Sequence, residues 1–258
     1  SVHLHGAHVQ PNSDGFPDLY ILNMQGNDHF YENVQGEKFV DRTDSFFPKT
    51  PWGSMGIKFF DFNNDGLTDL FITDMHSDMS DDISYDNYPE ERIKSIMKWE
   101  KSFTVGYEKS IFVNAFYKNL GDGKFVEVSD QIGVENYWPW GVSVDDLNAD
   151  GFQDIFISSG MSYNFRYGIN SLLLNNFGRS FLDSEFTLGV EPRRDEKTVT
   201  PWFEVDCSGA DAKHPDCKGR GGEFTVLSSL SSRSSVIFDL DNDGDLDIVT
   251  NDFNTPPQ

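Results

Sequence analysis

The sequence predicts an all-β protein: a β-propeller of four-stranded antiparallel blades with cation-binding hairpin loops and a short helical insertion. Three observations carry this reading. An acidic pattern recurs along the chain, short β-rich apolar runs flank each copy, and a second strand–turn–strand phrase follows it. Repeats at such spacing fix an architecture before any single element does.

The acidic pattern reads DFNNDGLTD at 61–69, DLNADGFQD at 146–154 and DLDNDGDLD at 239–247. Its template is D-x-[DN]-x-D-G-x-x-D. A weaker copy, QPNSDGFPD, spans 10–18. The spacing suits oxygen ligation of a hard cation, since Ca²⁺ takes about six to eight oxygens at about 2.3–2.6 Å. Side chains at loop positions 1, 3 and 5 converge if the chain turns sharply. Gly at position 6 (Gly66, Gly151, Gly244) permits that turn because it tolerates positive φ. The candidate ligands are therefore Asp61, Asn63, Asp65, the Leu67 carbonyl and Asp69; Asp146, Asn148, Asp150, the Phe152 carbonyl and Asp154; and Asp239, Asp241, Asp243, the Asp245 carbonyl and Asp247. In the first copy Gln10 stands where the others have Asp. Asn12, Asp14, the Phe16 carbonyl and Asp18 are left as a weaker fourth site. Mg²⁺ suits such loops less well, because it holds its water and demands tight octahedral geometry.

Two other readings compete. A metal-free hairpin turn needs only the Asp-Gly dipeptide, and four or five carboxylate or amide groups at matched spacing exceed that need. An EF-hand needs Glu at position 12 and flanking helices, but Ile72, Ile157 and Thr250 stand there. The flanks are strand-like: Ile57–Phe60 and Leu70–Thr73, Val142–Val144 and Ile155–Ser158, Val236–Phe238 and Ile248–Thr250. Each loop thus joins two strands.

The second phrase reads HFYENVQGEKFVD at 29–41, AFYKNLGDGKFVE at 115–127 and SLLLNNFGRSFLD at 171–183. Each is an apolar strand, a turn containing Gly, and a strand beginning near Phe39, Phe125 or Phe181. Loop unit and phrase together make the meander of a propeller blade. The expected layout is blade 1 at 1–50, blade 2 at 51–132 with an insertion at 75–110, blade 3 at 133–190, an insertion at 186–232, and half a blade at 233–258. In the first insertion Ile93, Ile96 and Met97 fall at helical spacing behind Pro89, with Glu90 and Glu91 in the first turn, which predicts one short helix. The second insertion holds both cysteines, Cys207 and Cys217, in one polar Gly-rich stretch. They read as a local disulfide, which would point outside the cytoplasm, or as a pair of free thiols. His214 lies between them, but Cys-His-Cys is too few ligands for a zinc site. Half a blade leaves open edges. The chain therefore reads as part of a longer, seven-bladed propeller, or as one completed by another subunit.

Composition bounds the function. The 258 residues carry 43 Asp and Glu against 20 Lys and Arg, a formal charge of −23. Such a surface repels phosphate backbones and anionic lipid, so neither nucleic acid nor membrane insertion is expected as a partner mode. The 23 Phe supply ample material for a core. No leader peptide, membrane-length apolar run or N-x-[ST] sequon is visible. Catalytic signatures are missing too: there is no G-x-S-x-G, H-E-x-x-H or P-loop. His3 and His5 would share one face of a strand in HLHGAH, which ends at His8; they offer two potential ligands for a transition metal, but read as ordinary strand residues at the edge of the first blade. Trp52, Trp138, Trp140 and Trp202 could stack on sugars. Trp52 and Trp140 each precede Gly just before an acidic loop, which favours a repeated structural role.

The three full loops resemble the calcium loops of FG-GAP/VCBS repeats, the units of the integrin α-subunit propeller. The longer phrases PWGSMGIKFFDFNNDGLTDLFITDMHSDMS and NAFYKNLGDGKFVEVSDQIGV resemble secreted propellers of the cartilage acidic protein (ASPIC/UnbV) type. The resemblance spans nearly all of the chain outside the two insertions. It implies a secreted calcium-binding propeller used in adhesion, binding or extracellular assembly, with a protein or glycan ligand or self-assembly through further blades. The loop motif is specific for the repeat and not for any one activity, and with the catalytic signatures missing no enzyme is expected. A carbohydrate-binding or polysaccharide-degrading propeller is the alternative.

Overall fold

The computed structural model describes residues 6–9, 16–75, 109–160, 168–193 and 198–253, with backbone alone for 6–9. Gln10, Asn12 and Asp14 of the first loop lie outside the described residues. So do His3, His5 and the helix expected over Ile93, Ile96 and Met97.

Three four-stranded antiparallel sheets follow one another. The first joins β1 (Gly6–Val9), β2 (Asp18–Ile21), β3 (His29–Val34) and β4 (Lys38–Asp41). After it comes β5 (Thr50–Pro51) and then the second sheet: β6 (Ser54–Phe60), β7 (Asp69–Asp74), β9 (Ala115–Asn119) and β10 (Phe125–Glu127), with β8 (Ser110–Ile111) pairing parallel to β5. The third joins β11 (Pro139–Asp145), β12 (Asp154–Ser159), β13 (Ser171–Asn175) and β14 (Phe181–Asp183). In all three, strands pair in chain order, as in the blades of a β-propeller. A two-stranded sheet of β17 (Ser232–Phe238) and β18 (Asp247–Asp252) repeats the first half of a blade. The strands that open the blades pack side by side: β1 on β6, β6 on β11, β11 on β17.

Burial explains the strand sequences. The second strand of a blade is covered on both faces, so β7 (DLFITD) and β12 (DIFISS) read as continuous apolar runs and are buried throughout. Leu70 and Ile72 of β7 meet Tyr20, Leu22, Phe30 and Phe47 of blade 1. Phe71, from the opposite face, joins Phe60, Phe62 and Phe116 against Val142, Ile155, Ile157 and Phe181 of blade 3. The core is therefore a series of layers between blades. Aromatic rings carry it: Phe116 lies 5.0 Å from Phe62 and 5.7 Å from Phe60, near edge-on. On the half blade the face turned away from β11 leaves Val236 and Phe238 exposed, with Leu240 just beyond at 58%.

Two one-turn helices, α1 (Thr43–Phe46) and α2 (Ser129–Ile132), follow the last strands of blades 1 and 2. The sequence reading missed both. They start where a strand-ending acid holds the next Thr or Ser: Asp41 Oδ1 accepts from Thr43 N–H at 2.9 Å, and Glu127 Oε1 accepts from Ser129 N–H at 2.9 Å. The second insertion is more than a polar loop. It forms a hairpin of β15 (Val199–Asp206) and β16 (Glu223–Ser229), with a disulfide between Cys207 and Cys217 beyond its tip. Buried Arg193, shortly before the hairpin, donates to the Gly168 carbonyl and Asn170 Oδ1 and pairs with Glu191. No helix among the described residues is long and apolar enough to cross a membrane.

The inner strands of blades 2, 3 and 4 break register at one place, between Ser54 and Gly56, Pro139 and Val142, and Ser232 and Ser234. Counted back from the loops, Met55, Trp140 and Arg233 are equivalent. Trp52 is not the counterpart of Trp140, which corrects the repeated role expected for the pair. Trp52 is wholly buried against Phe112, while Trp140 is half-buried with Arg233 stacked 4.0 Å above its ring.

Two predictions follow from this packing. A Cβ on Gly56 would stand 2.7 Å from the Trp140 carbonyl oxygen, and one on Gly141 2.9 Å from that of Arg233. Neither backbone can yield cheaply, so Gly56→Ala and Gly141→Ala should each lose about 1–3 kcal/mol, seen as a lower urea midpoint. Burial pushes the Glu127 carboxyl up to about 7 from 4.5. A proton on it thus favours the folded state, and that contribution is full below pH 4.5 and lost as pH rises through 7. Denaturant curves from pH 4 to 8 should show Glu127→Gln with a shallower decline, a difference on the order of 3 kcal/mol across the range.

Candidate metal centres

Each acidic loop connects the first two strands of its blade: 61–69 between β6 and β7, 146–154 between β11 and β12, 239–247 between β17 and β18. We number these loops 2, 3 and 4 by blade, and 10–18 loop 1. Of the candidate ligands of the weaker loop 1, Phe16 and Asp18 are described.

Loops 2, 3 and 4 share one hydrogen-bond pattern. The position-1 carboxylate accepts two backbone N–H groups. Asp61 takes those of Asp65 at 3.1 Å and Gly66 at 2.8 Å; Asp146 takes those of Asp150 at 3.0 Å and Gly151 at 2.9 Å; Asp239 takes those of Asp243 and Gly244, both at 3.1 Å. Position 5 then accepts from the position-7 N–H: Leu67 to Asp65 at 2.9 Å, Phe152 to Asp150 at 2.9 Å, Asp245 to Asp243 at 3.0 Å. These bonds coil the loop so that positions 1, 3 and 5 face inward. Positive φ at Gly66, Gly151 and Gly244 (84°, 90° and 99°) completes the turn. In loop 4 the carboxylates of Asp239, Asp241 and Asp247 all come within 4.8 Å of one another. In loops 2 and 3 the same place is taken by Asn63 and Asn148, each donating its amide to the position-5 carboxylate.

Position 9 is set apart by burial. Asp69 and Asp154 are fully buried, and Asp247 is half-buried. One oxygen accepts from the position-2 N–H: Phe62 to Asp69 at 3.2 Å, Leu147 to Asp154 at 2.9 Å, Leu240 to Asp247 at 2.9 Å. The other accepts from an asparagine N–H on the third strand, Asn119 to Asp69 and Asn175 to Asp154, each at 2.7 Å, and Asn33 does the same for Asp18 at 2.8 Å. Burial, with Asp65 and Asp61 adding repulsion, raises the Asp69 carboxyl to about 6; burial raises Asp154 as well. A cluster of inward carboxylates held this way, two of them destabilised as anions, is a donor set that a hard divalent cation would relieve. The residues therefore fit calcium. Asp61, Asn63, Asp65, Asp69 and their counterparts would hold the ion, with the carbonyl of Leu67, Phe152 or Asp245.

Sequence reasoning missed two features. Position 4 is also left-handed, with φ of 56° at Asn64, 55° at Ala149 and 60° at Asn242. It also missed the supporting asparagines Asn33, Asn119 and Asn175. Besides the position-9 contact, each uses its Oδ1 to accept from the turn glycine, Gly36, Gly121 or Gly178. The signal was present as an Asn shortly before Gly in all three copies of the second phrase.

Residues 12–72 and 103–157 match the family model described as FG-GAP-like repeat. A search of curated proteins found no match. The matched segments contain loops 2 and 3, the strands that lead into them and most of the strands that follow.

Left-handed backbone is costly for a residue with a Cβ unless it is Asn or Asp, by roughly 1–2 kcal/mol. Ala149→Gly should therefore stabilise the metal-free protein by about 0.5–1 kcal/mol in urea titrations, while Asn242→Gly changes it little.

Proposed function

We propose that the protein is an extracellular calcium-binding β-propeller that serves as an adhesion, binding or structural assembly module. The observation that carries this reading is the shared network of the three full loops, which turns carboxylates toward one point on successive blades. The FG-GAP-like match supports the same reading. Bound calcium supplies positive charge that lets the inward carboxylates stay ionised together. The chain's own part is to preorganise that donor set, through the N–H bonds to positions 1, 5 and 9.

The partner side of the proposal is a protein or glycan ligand. The hairpin β15–β16 is the leading contact surface, because it projects apolar groups that the blades do not use. Trp202 is 40% exposed and sits edge-on to Phe203 at 5.0 Å and to Phe253 at 5.4 Å. An exposed ring of this kind serves a sugar face or a protein side chain equally, which keeps the carbohydrate-binding reading as the alternative. The apolar side of the half blade offers a second surface, suited to assembly with further blades. The disulfide accords with an oxidising, extracellular setting. No catalytic role is proposed for the acidic residues, since carboxylates committed to a metal are not free for proton transfer.

The test is thermal melting with calcium and with EDTA, beside elemental analysis of the purified protein. Calcium should raise the midpoint by an amount equivalent to a few kcal/mol at saturation. Asp65→Ala should lower the bound calcium by one ion per chain. An unmoved midpoint together with no calcium in the protein would overturn the proposal.

A further inference from the structure

Loops 2 and 3 are joined directly to each other. The Asn64 amide, at position 4 of loop 2, donates to the Gly151 carbonyl at position 6 of loop 3 at 2.9 Å. A second link runs through the interior. Asn175 donates its amide to the Phe62 carbonyl of loop 2 at 2.8 Å, while its backbone N–H holds Asp154 of loop 3 at 2.7 Å. The Phe62 N–H in turn holds Asp69. The two buried position-9 carboxylates are therefore ends of one chain of contacts: Asp69, the backbone N–H and carbonyl of Phe62, Asn175, Asp154. The backbones also touch, since a Cβ on Gly178, in the turn after Asn175, would lie 2.7 Å from the Asn63 Cα.

Loop 4 lacks the first of these links. The residue equivalent to Asn64 in loop 3 is Ala149, which has no donor. Among the described residues no hydrogen bond joins loop 3 to loop 4, although β17 packs against β11 as β11 does against β6. For the first link the contrast is thus in one side chain and not in the spacing of the blades; the second link needs a third strand, which the half blade lacks among the described residues.

We infer that Asn64 and Asn175 are positioning residues shared by two calcium loops, and that they make loops 2 and 3 a coupled pair while loop 4 binds independently. This rests on the calcium reading of the loops. An ion in loop 2 fixes Asp69 and the Phe62 peptide, and with them the Asn175 side chain that braces Asp154. It also fixes Asn64 against the backbone of loop 3. The ordering of the second loop is then partly complete before its own ion arrives, which is the physical content of positive coupling.

The test is a calcium titration of the full chain followed by NMR on the amides of Gly66, Gly151 and Gly244. Each of these N–H groups bonds to the position-1 carboxylate of its own loop, so each resonance reports one site. Silencing loop 2 with Asp61→Asn and Asp65→Asn should raise the calcium midpoint of Gly151 roughly 5-fold. Silencing loop 4 with Asp239→Asn and Asp243→Asn removes as much charge from the other side and should leave the Gly151 midpoint within about 2-fold. Asn64→Gly keeps the left-handed backbone and deletes the donor; in that background silencing loop 2 should move Gly151 by less than half as much. Ala149→Asn restores a donor facing loop 4 and should make the Gly151 midpoint respond to silencing that loop. Equal effects of silencing loops 2 and 4 would overturn the coupling, and a response to loop 2 that Asn64→Gly leaves whole would overturn the role of Asn64, while calcium binding stands in both cases. If none of the three glycine resonances responds to calcium, the calcium reading itself falls, and the coupling with it.

Discussion

The buried carboxylate at position 9 is the point on which the repeat depends. Asp69 and Asp154 end the acidic loop, begin the second strand and touch the third strand at once. A buried carboxylate without partners would be too costly to keep. Each is therefore held by an N–H from the loop and an N–H from an asparagine on the third strand. That requirement fixes how loop, second strand and third strand meet, so the same Asp that offers a metal ligand also sets the blade's geometry. The price is a group whose ionisation burial opposes, and a cation beside it would remove that opposition.

Blades held this way still need each other. The second strand is buried on both faces, and its two faces belong to different layers: Leu70 and Ile72 to blade 1, Phe71 to blade 3. A single blade would leave half of these side chains in water. The close approach of inner strands at Gly56 and Gly141 lets the aromatic layers close, because a side chain there would hold neighbouring backbones apart. Val236, Phe238 and Leu240 show the same alternation on a face that no described residue covers. The chemistry of that face is that of Phe60 and Phe62, which blade 3 covers.

What was legible in the sequence was what repeats. The template residues, the glycines and the strand flanks of loops 2, 3 and 4 recur at fixed offsets, and the disulfide was one of two readings of Cys207 and Cys217. Non-local geometry was hidden. The supporting role of Asn119 and Asn175 depends on the third strand lying beside the loop root. The contrast between Trp52 and Trp140 depends on the strand break near Trp140, because PWG looks alike in both places while the register does not. The β15–β16 hairpin was read as polar loop because its apolar residues do not alternate cleanly: Trp202 interrupts the pairing between Pro201 and Phe203. The helices α1 and α2 escaped because one turn is too short to show a period.

The topology also separates the two parts of the proposed function. In an antiparallel meander every connection between the first and second strands lies at one end of the blade, so all the acidic loops share that end. The first insertion leaves from the far end of β7 and returns at the start of β9. The second leaves from the end of β14 and returns at the start of β17. Both therefore emerge at the opposite end from the loops. Calcium in the loops would not bridge to a partner held by the hairpin; its influence would have to pass through the blades. The route is short, since Asp69 and Asp154 root the second strands whose far ends, at Asp74 and Ser159, are anchored by Asn114 and Asn170 at the base of the insertions. A cation bound at one end would thus stiffen the strand whose far end carries the insertion, which is how the proposed metal loops would serve a recognition surface they never touch.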